Sequence, residues 1–173
     1  ALAQVIEKKP GHLILRILTS GFIAQNKAVS VERDVDMPSL TAKDIKALAI
    51  GARMGIRHVA LSFASKATDV DALRSIFAPD PFIISKIESA KGVINLEEIA
   101  QRSDALLLDR GDLSRQVPVE KIPWAQKNVI KRAKGSKTKI YVATNFLESM
   151  IKSPTPTRAE VNDIFNTLSD GAD

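Results

Sequence analysis

Phe82-Ile-Ile-Ser-Lys86-Ile-Glu88, then a helical segment, then Leu106-Leu-Leu-Asp109-Arg110-Gly111-Asp112-Leu113: these two pieces decide how the chain is read. Each is an apolar run of strand length that ends on charged residues. Side chains alternate faces along a strand, so Ile84, Lys86 and Glu88 share one face. A cation and a carboxylate at the end of a buried strand are costly unless something pairs with them. In a parallel α/β protein both strand ends open on the same functional edge. Glu88 and Asp112 then come within reach of one hard divalent cation, with Lys86 beside them. Mg2+ suits such a pair, since it takes one or two carboxylates and leaves other positions to water and substrate. The bland alternative is a structural Lys86–Glu88 ion pair, with Asp112 capping the next helix. Spacing alone leaves the two readings level.

Outward from this centre the chain alternates. Thr41 with Asp44 marks a capped helix start, with apolar Ile45, Leu48, Ala49 and Ala52 at helical spacing and a stop near Gly55. A strand over 58–63 follows, then a helix from near Thr68 with Asp71. After the Phe82 strand, Asn95 with Glu98 marks another helix start, which leads to the strand 105–108. A helix over 124–134 ends at Gly135, and a strand covers 139–143. Thr157 with Glu160 opens a last helix, which ends near Gly171. Four strands, each followed by a helix, imply a parallel sheet. Residues 1–33 read differently: the apolar run 12–18, Phe22 and Ile23, a polar turn at Gln25 and Asn26, then 28–31. This suggests a hairpin or the edge of a small β domain. His12 has no second ligand at metal spacing and reads as a surface strand residue.

Composition sets bounds. The 173 residues are enough for a sizeable core, and 45% hydrophobic with 26% charged residues is an ordinary globular balance. The net charge of +5 suits anionic, phosphorylated ligands. No basic block interleaved with aromatics points to nucleic acid, and no stretch is apolar enough to span a membrane. With no cysteine there is neither disulfide nor thiolate metal site, which fits a reducing compartment. The opening alanine and the abrupt Asp-Gly-Ala-Asp ending suggest an excerpt of a longer chain.

Four motifs, Ser85-Lys-Ile-Glu88, Arg110-Gly-Asp-Leu113, Ala143-Thr-Asn-Phe-Leu-Glu-Ser-Met150 and Pro154-Thr-Pro-Thr-Arg-Ala-Glu160, resemble pyruvate kinase in order and spacing. The similarity covers nearly the whole chain, most clearly 37–173. It implies an α/β fold of the (β/α)8 TIM-barrel type. About four β/α units are present, the family's fourth to seventh strands (34–173), preceded by the end of a small β cap domain (1–33). It implies a phosphotransferase of glycolysis, passing the phosphoryl group of phosphoenolpyruvate to ADP to give pyruvate and ATP. In that resemblance Lys86 meets the phosphoryl group in transit, and Glu88 and Asp112 hold Mg2+ or Mn2+. The N–H groups around Gly111 and Asp112, with Arg110 adjoining, receive the substrate carboxylate. Thr144 lies near the carbon that gains a proton, although on its own it reads as a helix N-cap. Arg158 lies near a subunit contact of a homo-oligomer, in the cytoplasm. K+ is a second cation of the family, but its motifs and those for the nucleotide lie outside this chain. Ser62 and Phe63, at a strand end, are candidates to line the pocket.

The sequence departs from the family pattern close to this site. Asp109 replaces a small residue, Ser114 a glycine and Asn145 a glutamine, and Arg115 and Gln116 stand where an acidic residue is common. Two other readings therefore stand beside the kinase: a metal-dependent lyase or aldolase acting through a pyruvate enolate, and an inactive homologue with a binding role.

Overall fold

A computed structural model describes all residues except 1, 23, 26–28, 30, 34, 36, 78 and 79. The chain divides into two compact units, Ala1–Asp34 and Val35–Asp173.

The first unit is a hairpin. Strand β1 (Ala3–Lys9) pairs antiparallel with β2 (His12–Ile17), with a register irregularity between Val5 and Glu7. Gly11, at φ 77°, makes the turn. The hairpin thus forms one strand earlier than its apolar run suggests. Strand β1 reads Ala-Gln-Val-Ile-Glu-Lys-Lys, too polar at its end to stand out as a strand. The second strand expected over 28–31 falls partly outside the described residues.

The second unit holds a four-stranded parallel sheet in sequential order: β3 (His58–Leu61), β4 (Phe82–Ile87), β5 (Ala105–Asp109) and β6 (Lys139–Ala143). The helices are α1 (Ala42–Arg53), α2 (Ala67–Arg74), α3 (Ala90–Ile94), α4 (Leu96–Arg102), α5 (Arg110–Leu113), α6 (Ile122–Gly135) and α7 (Arg158–Ser169). Helices α1 and α7 start on the expected capping boxes, Thr41 with Asp44 and Thr157 with Glu160. Two starts differ from expectation. Helix α2 begins one residue early, because Asp69 rather than Asp71 accepts the N–H groups of Ser65 and Lys66. The helical region after β4 begins at Ser89, whose hydroxyl accepts from the Gly92 N–H. Asn95 only marks the break between α3 and α4, and its amide donates to Ser65 O.

One face of this sheet is packed and the other is open. Ile83, Ile87, Leu106, Leu108 and Ile140 point to the helix side and are fully buried with Val70, Leu73, Ile99 and Ile130. The alternating residues on the other face, Phe82, Ile84, Lys86 and Leu107, are only half-buried, and His58 and Ala60 on the outer strand β3 are exposed. A barrel interior that lacks its remaining strands has this pattern.

Candidate active site

The ends of β4, β5 and β6 converge because the strands are parallel and in register. Lys86 pairs with Leu107, Leu108 with Val142 and Asp109 with Ala143. Glu88 follows β4 directly, Asp109 ends β5 and Thr144 follows β6. Carboxylate oxygens of Glu88, Asp109 and Asp112 all lie within 4.8 Å of one another.

Glu88 is 1% exposed. Its Oε2 accepts a 2.6 Å hydrogen bond from the Phe63 N–H. Phe63 takes a left-handed φ of 52° to make this bond, a costly conformation for a bulky residue. The loop after β3 is held there by Ala64 N–H donating to Lys86 O. Gly92 makes room for it: a Cβ there would sit 2.7 Å from Ala64 O. Glu88 Oε1 lies 2.6 Å from the Lys86 ammonium but finds no hydrogen-bond partner among the described residues. We read this contact as an ion pair without hydrogen-bond alignment, because the short distance secures the charge attraction whatever the angle.

Lys86 also lies 3.5 Å from Asp109 Oδ2. Desolvation works to lower the Lys86 pKa, but the contact and charge of Glu88, then of Asp109, outweigh it and hold the ammonium above its ordinary value. Lys86 is therefore a fixed positive charge at the strand edge.

Asp109 carries the local geometry. Its Oδ1 accepts from Gly111 N–H at 3.1 Å and Asp112 N–H at 3.3 Å, and the Thr144 hydroxyl lies 3.2 Å away, shared with Ala143 O at 2.6 Å. Asp109, and not Asp112, is thus the cap of the short helix α5. The N–H groups expected to meet a substrate carboxylate are turned onto this internal carboxylate. Thr144 caps no helix; its Oγ1 accepts from Gly111 N–H at 2.8 Å. Thr144 and Asn145 both sit at positive φ, 71° and 60°. Successive left-handed residues, one of them β-branched, are strained backbone of the kind found where function over-determines geometry. Asp112 pairs at 2.9 Å with Arg115.

Arg110 does something other than expected. It is 8% exposed, and its guanidinium donates to Thr144 O, Gln126 Oε1 and both Asp163 oxygens, while stacking 4.0 Å over the Phe146 ring. None of these partners belongs to the carboxylate cluster. Here Arg110 positions the β6 end and α7. Arg158 is exposed at the first turn of α7, far in sequence from the cluster, and lines a shallow cleft with Val161 and Phe165. Ser62 is exposed beside Phe63. The other departures have local tasks: Ser114 donates to Gly111 O, Gln116 accepts from Ala90 N–H, and Asn145 donates to Glu148. The sequence pointed to neither the Phe63 N–H nor Asp163 as a supporting group, and it marked Asp109 only as a departure.

A parallel β/α sheet with a lysine and three carboxylates at its carboxyl edge places the chain among α/β enzyme folds, doubly wound or (β/α)8, and the family match decides for the barrel. The family pattern described as "Pyruvate kinase, barrel domain" matches residues 2–173, and the chain belongs to the pyruvate kinase family. It is 37% identical over 171 residues to a pyruvate kinase of Agrobacterium vitis, covering 98% of this chain and 36% of the relative. It is 39% identical over 172 residues to one of Dictyostelium discoideum, covering 97% and 34%. A human pyruvate kinase, PKLR, is 38% identical over 177 residues, covering 99% and 31%. The chain spans about a third of the length of these curated relatives.

Proposed function

We propose that this chain is the catalytic-edge portion of an enzyme that transfers the phosphoryl group of phosphoenolpyruvate to ADP. The observation that supports it most is the meeting of Lys86, Glu88 and Asp112 at two neighbouring strand ends in a chain of this family. Glu88 and Asp112 would hold Mg2+ or Mn2+. The oxygen-only donor set suits a hard cation, and Glu88 and Asp109 already share a single ammonium there. When bound, such a cation supplies positive charge against oxygens that become negative during transfer. Lys86 carries its charge to the same place, where it stabilises the phosphoryl group in transit more than it does bound substrate. Thr144 lies close enough to Gly111 to orient a small 2-oxo acid at the β5 end. The donors for that acid's carboxylate are Gly111 and Asp112 N–H, which Asp109 must share or yield.

A K+ ion, a homo-oligomer with Arg158 near a subunit contact and a place in the cytoplasm complete this reading. Among the described residues no helix is long and apolar enough to cross a membrane. The test is ATP formation from phosphoenolpyruvate and ADP by the whole protein with Mg2+ and K+. Turnover that vanishes with chelator supports the proposal. Metal-dependent cleavage of a 2-oxo acid without ATP formation would move the site to enolate lyase chemistry, and neither activity would leave an inactive homologue.

A further inference from the structure

We propose that Asp109 is a third carboxylate ligand of the divalent cation, so that this chain holds the ion by itself with Glu88, Asp109 and Asp112. This rests on the reading of Glu88 and Asp112 as cation ligands. Two oxygens each about 2.1 Å from one ion stand at most about 4.2 Å apart. The three carboxylates here already lie within 4.8 Å of one another, so the set closes with a small movement.

The two oxygens of Asp109 are in different situations. Oδ1 meets the Gly111 and Asp112 N–H groups and the Thr144 hydroxyl, the first shared with Thr144 Oγ1 and the last with Ala143 O. Among the described residues, Oδ2 has only the Lys86 ammonium, at 3.5 Å. The cap of α5 accounts for Oδ1 and leaves Oδ2 unexplained. A helix cap needs one acceptor, and asparagine or serine serves as well as aspartate. Placing a second carboxylate, its side chain 10% exposed, beside buried Glu88 adds like-charge repulsion that a neutral cap avoids. Glu88 Oε1, fully buried in the same cluster, has the Lys86 ammonium at 2.6 Å without hydrogen-bond alignment, so one cation serves oxygens of both Glu88 and Asp109. Three carboxylates against the Lys86 ammonium leave two negative charges, which one divalent cation balances. The Arg115 that pairs with Asp112 is 42% exposed and sits at the rim, so it compensates the interior weakly. A two-carboxylate site relies on substrate oxygens to complete its shell; a three-carboxylate site retains the ion before substrate arrives.

Mn2+ binding to the whole protein without substrate, followed by the paramagnetic signal of the free ion, tests this. Asp109→Asn keeps the cap and removes the charge. It should weaken Mn2+ binding at least about tenfold, the low end of what is lost even when partners of metal ligands are removed. Glu88→Gln should weaken it at least as much. If Asp109→Asn binds Mn2+ like the wild type while Glu88→Gln does not, Asp109 is a helix cap only and the inference is overturned, with the two-carboxylate reading intact. If the wild-type protein itself binds no Mn2+, both fall.

Discussion

Strands β4 and β5 carry a charged cluster at each end, and the two clusters are built on opposite terms. At the end where the strands begin, Arg74 donates to both oxygens of Asp80, to Asp104, and to the carbonyls of Pro81 and Arg102. Asp104 in turn accepts from the Ile83 N–H. One guanidinium meets five acceptor oxygens on four residues, and the two carboxylate side chains are 68% and 36% exposed. At the end where the strands finish, Glu88 and Asp109 share one ammonium with side chains 1% and 10% exposed. The first cluster is hydrogen-bonded and partly in water. In the second, two largely buried carboxylates share one ammonium. Burying two carboxylates against a single cation costs stability, so a cluster of the second kind persists where something other than stability maintains it.

Replacing the lysine tests the second cluster most sharply. Lys86→Met keeps the length and removes the charge. In the whole protein, kcat for ATP formation should fall by about 10²–10³, the usual weight of a single electrostatic stabiliser, with a much smaller change in KM for phosphoenolpyruvate. A variant with near-normal kcat would take Lys86 out of the chemistry and reduce this cluster to a costly ion pair.

Arg74→Met is the matching change at the other end. It removes the donor common to four acceptor residues, and should lower the stability of the whole protein by about 1–2 kcal/mol, since its partners are half in water. Thermal unfolding reads the loss. Turnover per folded molecule should not change. A fall in kcat at unchanged fold would mean that the starting ends of the strands are coupled to the site, and the contrast between the clusters would fail.

The same contrast explains how far the sequence could be read. Strand periods and the capping boxes at Thr41 and Thr157 are local and were legible, whereas the starts near Thr68 and Asn95 were misplaced because Asp69 and Ser89 supply the caps. The meeting of Lys86 and Glu88 followed from the two-residue repeat of a strand, and that of Glu88 with Asp112 from parallel neighbours. What stayed hidden was set by partners distant in sequence. The Phe63 N–H that anchors Glu88 is a backbone donor, and backbone donors leave no mark in a sequence. Arg110 looked free for substrate, because nothing nearby announces Asp163 as its partner. Asp109 was visible as an unusual carboxylate, but its two roles depend on where Thr144 and Lys86 arrive in three dimensions.

Glu160 offers the mildest test, and it completes the comparison with Glu88. Glu160 is half-buried, and both its oxygens are engaged: Oε1 by the Ser149 N–H, Oε2 by the Ser149 hydroxyl and by the N–H and hydroxyl of Thr157. The Ser149 hydroxyl and N–H, then the Thr157 bonds, hold its pKa down at about 2. A carboxylate with a depressed folded pKa contributes stability above its ordinary value of 4.5, and that contribution is lost as pH falls from there toward about 2. The expected behaviour is a small excess in melting temperature of wild type over Glu160→Gln, constant near neutrality and shrinking below about pH 4.5. Glutamine keeps one acceptor at the helix start, so the fold survives and only the charged share is read. An excess that stays undiminished in acid would show that these bonds do not depend on the ionised carboxylate. Glu160 would then hold the β6–α7 connection by shape alone, and Glu88 would be the only one of the two glutamates whose setting needs an explanation.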